Sequence, residues 1–120
     1  MSEVAAPAAA GQWIDIGSLD VIPIRGARVV KTAAGCIAIF RTAQDEAFAI
    51  DDRCPHKGGP LSQGIVHGRS VTCPLHNWVI SLDTGAAQGA DVGQVQTIPL
   101  RVANGRLLLD ASALASRQAA

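Results

Sequence analysis

Four residues of this chain have the types and spacing to do chemistry: Cys54, His56, Cys73 and His76, arranged as two tight pairs, C-P-H and C-P-L-H. Read as ligands they give C-x-H-x16-C-x-x-H. Each pair carries one sulfur and one imidazole nitrogen, so two facing loops can give both thiolates to one metal and both imidazoles to its neighbour. A [2Fe-2S] centre with two cysteines on one iron and two histidines on the other uses this donor set. Zinc accepts the same atoms, and spacing alone leaves a Cys2His2 zinc site open, although structural zinc sites usually show knuckle or finger spacing. Pro55, Gly58, Gly59 and Pro60 around the first pair and Pro74 in the second suit turns. Lys57, Gly58, Gly59 and Leu75 are candidates to aim backbone N–H groups at cluster sulfur, glycine permitting the closest approach.

The elements that must hold these loops read as short strands. Apolar runs punctuated by Gly, Asn and Asp recur from Trp13 to Asp110, and no long helical period interrupts them, which predicts an all-β domain. Strands are expected over 13–16, 28–31, 36–41, 47–50, 70–72, 78–81, 95–102 and 106–109. Asn104-Gly105 is a hairpin signal, because a type I′ turn needs positive φ at both central residues. His67-Gly68 and Thr84-Gly85 mark further turns, and Ser18 is placed to cap a short helical turn over 18–21. The first ligand pair then follows the strand ending at Ile50, and the second precedes the strand starting near Trp78. Both loops become hairpin ends on a rigid scaffold, near the surface at one tip.

A chain of 120 residues fits one domain, with residues 12–110 as its body, 1–11 as an Ala-rich tail and 111–120 as a second tail. Ten basic and ten acidic residues cancel, which gives no electrostatic case for nucleic acid or an anionic membrane surface. No stretch approaches the roughly 18 apolar residues of a spanning helix. The start lacks a basic region ahead of an apolar run, so no export signal is read there. With two of three cysteines assigned to the ligand pairs, Cys36 has no intramolecular partner, which suits a reducing cytoplasm.

The segments C-P-H-K-G-G-P-L-S-Q-G and C-P-L-H-N-W resemble Rieske proteins, and with D-T-G-A-A-Q-G they are similar to the small subunits of assimilatory NAD(P)H-dependent nitrite reductases. The resemblance spans residues 13–110. It implies a Rieske-type antiparallel β sandwich with a cluster-binding subdomain of two loops, and one [2Fe-2S] cluster held by Cys54 and Cys73 on one iron and His56 and His76 on the other. It implies an electron-transfer role beside a large subunit carrying flavin and siroheme, with no catalysis by this chain alone. The alternatives are a ferredoxin of an aromatic-ring dioxygenase and, in another class, a structural or regulatory metal-binding module. Respiratory Rieske proteins add a cysteine to each loop and join them in a disulfide. Gly59 and Leu75 occupy those positions here, and Asn77, Trp78, Val79 and Ile80 offer no equivalent of their Ser and Tyr donors. Fewer hydrogen bonds to sulfur place the potential toward the lower end of the Rieske range, about −150 mV.

The remaining residues have plainer readings. Cys36 in C-I-A-I-F is expected as a buried apolar thiol of a core strand. His67 is expected as a solvated turn residue, Trp13 and Trp78 as packing residues, and Asp51, Asp52, Arg53 and Lys57 as a mixed-charge rim around the first loop. No nucleophile–base pair or dinucleotide fingerprint is present.

Overall fold

The computed structural model describes residues 13–32, 35–54, 60–74, 77–88 and 93–110. Ten strands lie among them: β1 (Trp13–Ser18), β2 (Ala27–Thr32), β3 (Gly35–Arg41), β4 (Ala47–Asp51), β5 (Ile65–His67), β6 (Ser70–Thr72), β7 (Val79–Ser81), β8 (Thr97–Ile98), β9 (Leu100–Ala103) and β10 (Arg106–Asp110). They form three antiparallel sheets, in orders β1-β10-β9, β2-β3-β4-β8 and β5-β6-β7. The expected all-β class is the observed one.

The run I-A-I-F in β3 explains how the sheets assemble. Ile37, Ala38, Ile39 and Phe40 are all buried, as an uninterrupted apolar strand requires. Alternation divides them between two cores. Ala38 and Phe40 pack with Ile50, Leu61, Val66, Val71 and Ile80, toward the β5-β6-β7 sheet. Ile37 and Ile39 pack with Leu19, Ile22, Leu107 and Leu109, toward the β1-β10-β9 sheet. The four-stranded sheet is therefore a middle layer covered on both faces, and each large aliphatic or aromatic side chain it buries contributes about 1.5–3 kcal/mol.

Local sequence accounts for the connections. Ser18 accepts a hydrogen bond from the Asp20 N–H and caps a 3-10 turn at Leu19–Val21, as anticipated. Arg41 donates to the Ile22 carbonyl at 2.8 Å and pairs with Asp45 at 2.8 Å, fixing that turn against the β3–β4 hairpin. Asn104 and Gly105 both have positive φ, 53° and 75°, between β9 and β10. The single strand expected over 95–102 is instead two. Pro99, which has no N–H to give a ladder, divides β8, paired with β4, from β9, paired with β10, so the chain changes sheets there. Strand β5 and a 3-10 turn at Leu61–Gln63 were not expected from sequence; I-V-H is too short to show a period. The expected tails, 1–11 and 111–120, lie outside the described residues.

Two predictions follow from close contacts. A Cβ on Gly64 would stand 2.2 Å from the Thr72 carbonyl oxygen, whereas one on Gly105 would meet nothing within 4 Å and suffer only from its φ of +75°. Gly64→Ala should therefore lower stability by about 1–3 kcal/mol or more, and Gly105→Ala by about 1–2 kcal/mol, read as thermal unfolding midpoints. Equal midpoints for Gly64→Ala and the native chain would refute the close approach. Separately, the side-chain hydrogen bond from Arg106 and then the Gly17 N–H hold the Asp15 carboxyl below its ordinary 3.8. A lowered folded value means that its contribution is complete above the unfolded pKa and is lost as pH falls through the folded one. NMR titration of the carboxyl carbon should give a midpoint below 3.8 that moves up toward it in Arg106→Ala.

Candidate metal centre

Cys54 lies three residues past the end of β4, and the backbone leading to it is pinned at successive positions. Asp51 N–H donates to the Gln96 carbonyl at 2.9 Å, Asp52 N–H to the Cys36 carbonyl at 3.0 Å, and Arg53 N–H to the Asp51 carbonyl at 2.8 Å. The 3-10 turn Leu61–Gln63 then buries Leu61 completely in the core that contains Cys54. Asp52 and Ser62 meet across the neck of this loop: Asp52 Oδ1 accepts the Ser62 N–H at 2.7 Å and Oδ2 accepts its hydroxyl at 2.8 Å.

Cys73 follows β6 directly. Its N–H donates to the Trp78 carbonyl at 2.7 Å, and its carbonyl accepts the Asn77 N–H at 3.1 Å, so main-chain hydrogen bonds close the neck of the second loop. Asn77 takes φ of 59°, a left-handed conformation that asparagine tolerates better than most residues. Trp78 is half-buried against the same core, the packing role expected of it.

Cys54 and Cys73 are 2 % and 1 % exposed and belong to one cluster with Leu61, Val66, Val71 and Ile80. No disulfide joins them. Two buried sulfurs delivered to one apolar core from two loops suit a thiolate-ligated group, since thiolates bound to metal no longer carry a full charge into that core. The donor set therefore fits the iron of a cluster. His56 and His76, with Lys57, Gly58, Gly59 and Leu75, lie outside the described residues. Among the described residues no group of three or more His, Cys, Asp or Glu side chains gathers as a metal site.

Cys36 corrects an expectation, for it is exposed. The apolar run suggested a core thiol, but Cys36 is the second residue of β3, and the layers covering the strand begin at Ile37. His67 is exposed in β5, with Nε2 2.7 Å from Thr72 Oγ1. Asp52, expected as part of a solvated rim, is half-buried and bonded to Ser62. A lone Asp and Ser ten positions apart give no sequence signal. Arg69 ties the β5–β6 hairpin to the middle layer through Glu46, at 3.5 Å, and the Phe48 ring, at 5.2 Å. Among the described residues no helix is long and apolar enough to cross a membrane.

Residues 12–99 match the family of the Rieske [2Fe-2S] domain. The ferredoxin component of the naphthalene 1,2-dioxygenase/salicylate 5-hydroxylase systems of Ralstonia sp is 33% identical over 98 residues, 81% of this chain and 93% of the relative. The anthranilate 1,2-dioxygenase ferredoxin subunit of Burkholderia cepacia is 33% identical over 97 residues, 80% of this chain and 89% of the relative. Among solved structures, a Mycobacterium tuberculosis protein described as an NADH-dependent nitrite reductase small subunit superposes with a TM-score of 0.73 at 25% identity. The match covers 82% of this chain and 93% of that one.

The burial pattern sets an order of reactivity. In native protein at mildly alkaline pH, Ellman's reagent should modify one thiol per chain, absent in Cys36→Ala, and reach the other two only after denaturation. Rapid modification of all three in the native state would contradict the burial of Cys54 and Cys73.

Proposed function

This chain belongs to the Rieske [2Fe-2S] domain family, and from that premise we propose that Cys54, Cys73, His56 and His76 hold its cluster and that the chain is the electron-transfer small subunit of an assimilatory nitrite reductase. The bound cluster supplies a one-electron couple whose irons are filled by protein ligands. The chain's part is to bury the sulfur side of the site against Leu61, Val66 and Val71, hold the loop necks, and present the opposite side to a partner. Reduction of nitrite to ammonium takes six electrons, so the anion's chemistry belongs to a larger subunit carrying flavin and siroheme, with this chain passing electrons singly.

The observation that carries the nitrite reading is the likeness of C-P-H-K-G-G-P-L-S-Q-G, C-P-L-H-N-W and D-T-G-A-A-Q-G to that branch of the family; the superposition on the mycobacterial small subunit supports it. A second reading, a ferredoxin serving an aromatic-ring oxygenase, is favoured by the 33% identity to ferredoxin components along nearly their whole length. Both readings share the cluster, the missing inter-loop disulfide and the need to dock. A reducing cytoplasmic setting fits both.

Anaerobically purified protein should contain two irons and two labile sulfides per chain and, on reduction by dithionite, give a rhombic paramagnetic resonance signal of low average g. Cys54→Ser and Cys73→Ser should lose it and Cys36→Ala should keep it. A colourless protein with stoichiometric zinc would overturn the assignment. The two functions separate on reconstitution. NAD(P)H-dependent ammonium formation by a flavin- and siroheme-bearing subunit should require the native chain, fail with Cys54→Ser, and weaken with Lys57→Glu, a charge change beside the loop. Coupling to an oxygenase and not to that subunit would establish the ferredoxin reading instead.

A further inference from the structure

The two ligand loops are closed at their necks by different means. The second uses main-chain hydrogen bonds between Cys73 and residues 77 and 78. The first uses the side chain of Asp52, which engages both the N–H and the hydroxyl of Ser62. Each end of this bridge is anchored. Asp52 is tied through its own N–H to the Cys36 carbonyl in β3, and Ser62 follows the fully buried Leu61, which packs in the same core as Cys54 and Cys73. One side chain accepting both a backbone N–H and a hydroxyl of the same residue fixes the two segments relative to each other in distance and direction. The bridge spans the separation between the strand that delivers Cys54 and the turn that closes the loop.

We propose that Asp52 and Ser62 form a non-covalent clasp across the first ligand loop and are positioning residues for the cluster, acting through Cys54. The clasp holds the neck closed so that Cys54 stays aimed at its iron and the loop does not open to let the cluster escape. In the disulfide-bearing respiratory proteins the restraint runs from loop to loop; here it runs within the first loop. Loss of the clasp lets the neck widen, at an entropic gain to the loop that opposes its refastening. The inference rests on Cys54 being a ligand.

The test compares holoprotein variants by the rate at which an iron chelator bleaches the visible absorption, and by the line widths of the reduced paramagnetic resonance signal. Asp52→Ala removes both hydrogen bonds and should bleach about tenfold faster, with broadened lines as Cys54 samples several geometries. Ser62→Ala removes the hydroxyl but keeps the backbone donor and should bleach about threefold faster. Asp52→Asn is the conservative rescue, because its carbonyl oxygen can accept the Ser62 N–H while its amide donates to the Ser62 hydroxyl. It should stay within about twofold of native and keep narrow lines. Native bleaching rates in both Asp52→Ala and Ser62→Ala would overturn the clasp. So would an Asp52→Asn variant as labile as Asp52→Ala, since the negative charge and not the bonding geometry would then matter. If Asp52→Ala does not load, Ser62→Ala alone decides. Retention of the cluster by Cys54→Ser would remove the ligand on which the clasp acts, and would overturn the inference from that side while leaving the family's cluster in place.

Discussion

Double-sided burial of β3 is the constraint on which the molecule rests. A strand with I-A-I-F in sequence cannot face water on either side, so each face must be covered by another sheet, and the two coverings are the β1-β10-β9 sheet, called the terminal sheet, and the β5-β6-β7 sheet. The position of the loops follows. Strand β4 pairs with β3 and delivers Cys54 past its end, while β6 runs in the covering sheet and delivers Cys73. Both sulfurs arrive in the core that Ala38 and Phe40 help to fill. Fold stability and site geometry are thus supported by the same side chains.

That shared core also shapes the chemistry. Apolar residues around Cys54 and Cys73 limit solvent access to their sulfurs, one of the levers by which a protein sets the potential of a metal site. Hydrogen bonds at the loop necks, Asp52 to Ser62 in the first and Cys73 to Asn77 and Trp78 in the second, act on the geometry of the loops.

Much of this was legible in the residues. The mixed Cys–His pairs pointed to the family, and the short apolar runs located the strands from β1 to β4 and the last hairpin, whose Asn104-Gly105 turn has the φ values its composition demands. The failures have physical causes. Pro99 inside an apolar run marks a change of sheet, which depends on which strand lies nearby and not on the run itself. Strand β5 has three residues and draws its identity from pairing with β6. Cys36 looked like core because hydrophobicity reports the chain's neighbours in sequence, while burial depends on where the covering layers end. Asp52 looked like rim because its partner is brought to it only when the loop closes.

The division of β3 into two faces has a consequence for how this fold can vary. Ile37 and Ile39 belong to the core facing the terminal sheet, and Ala38 and Phe40 to the core facing the β5-β6-β7 sheet, so the middle layer stands between two separate clusters of buried residues among the described residues. Among the described residues the two clusters have no member in common, and the energetic effects of substitutions in one should add to those in the other. A repacking of the terminal-sheet core can therefore change the stability of the whole domain while leaving in place the side chains that surround Cys54 and Cys73.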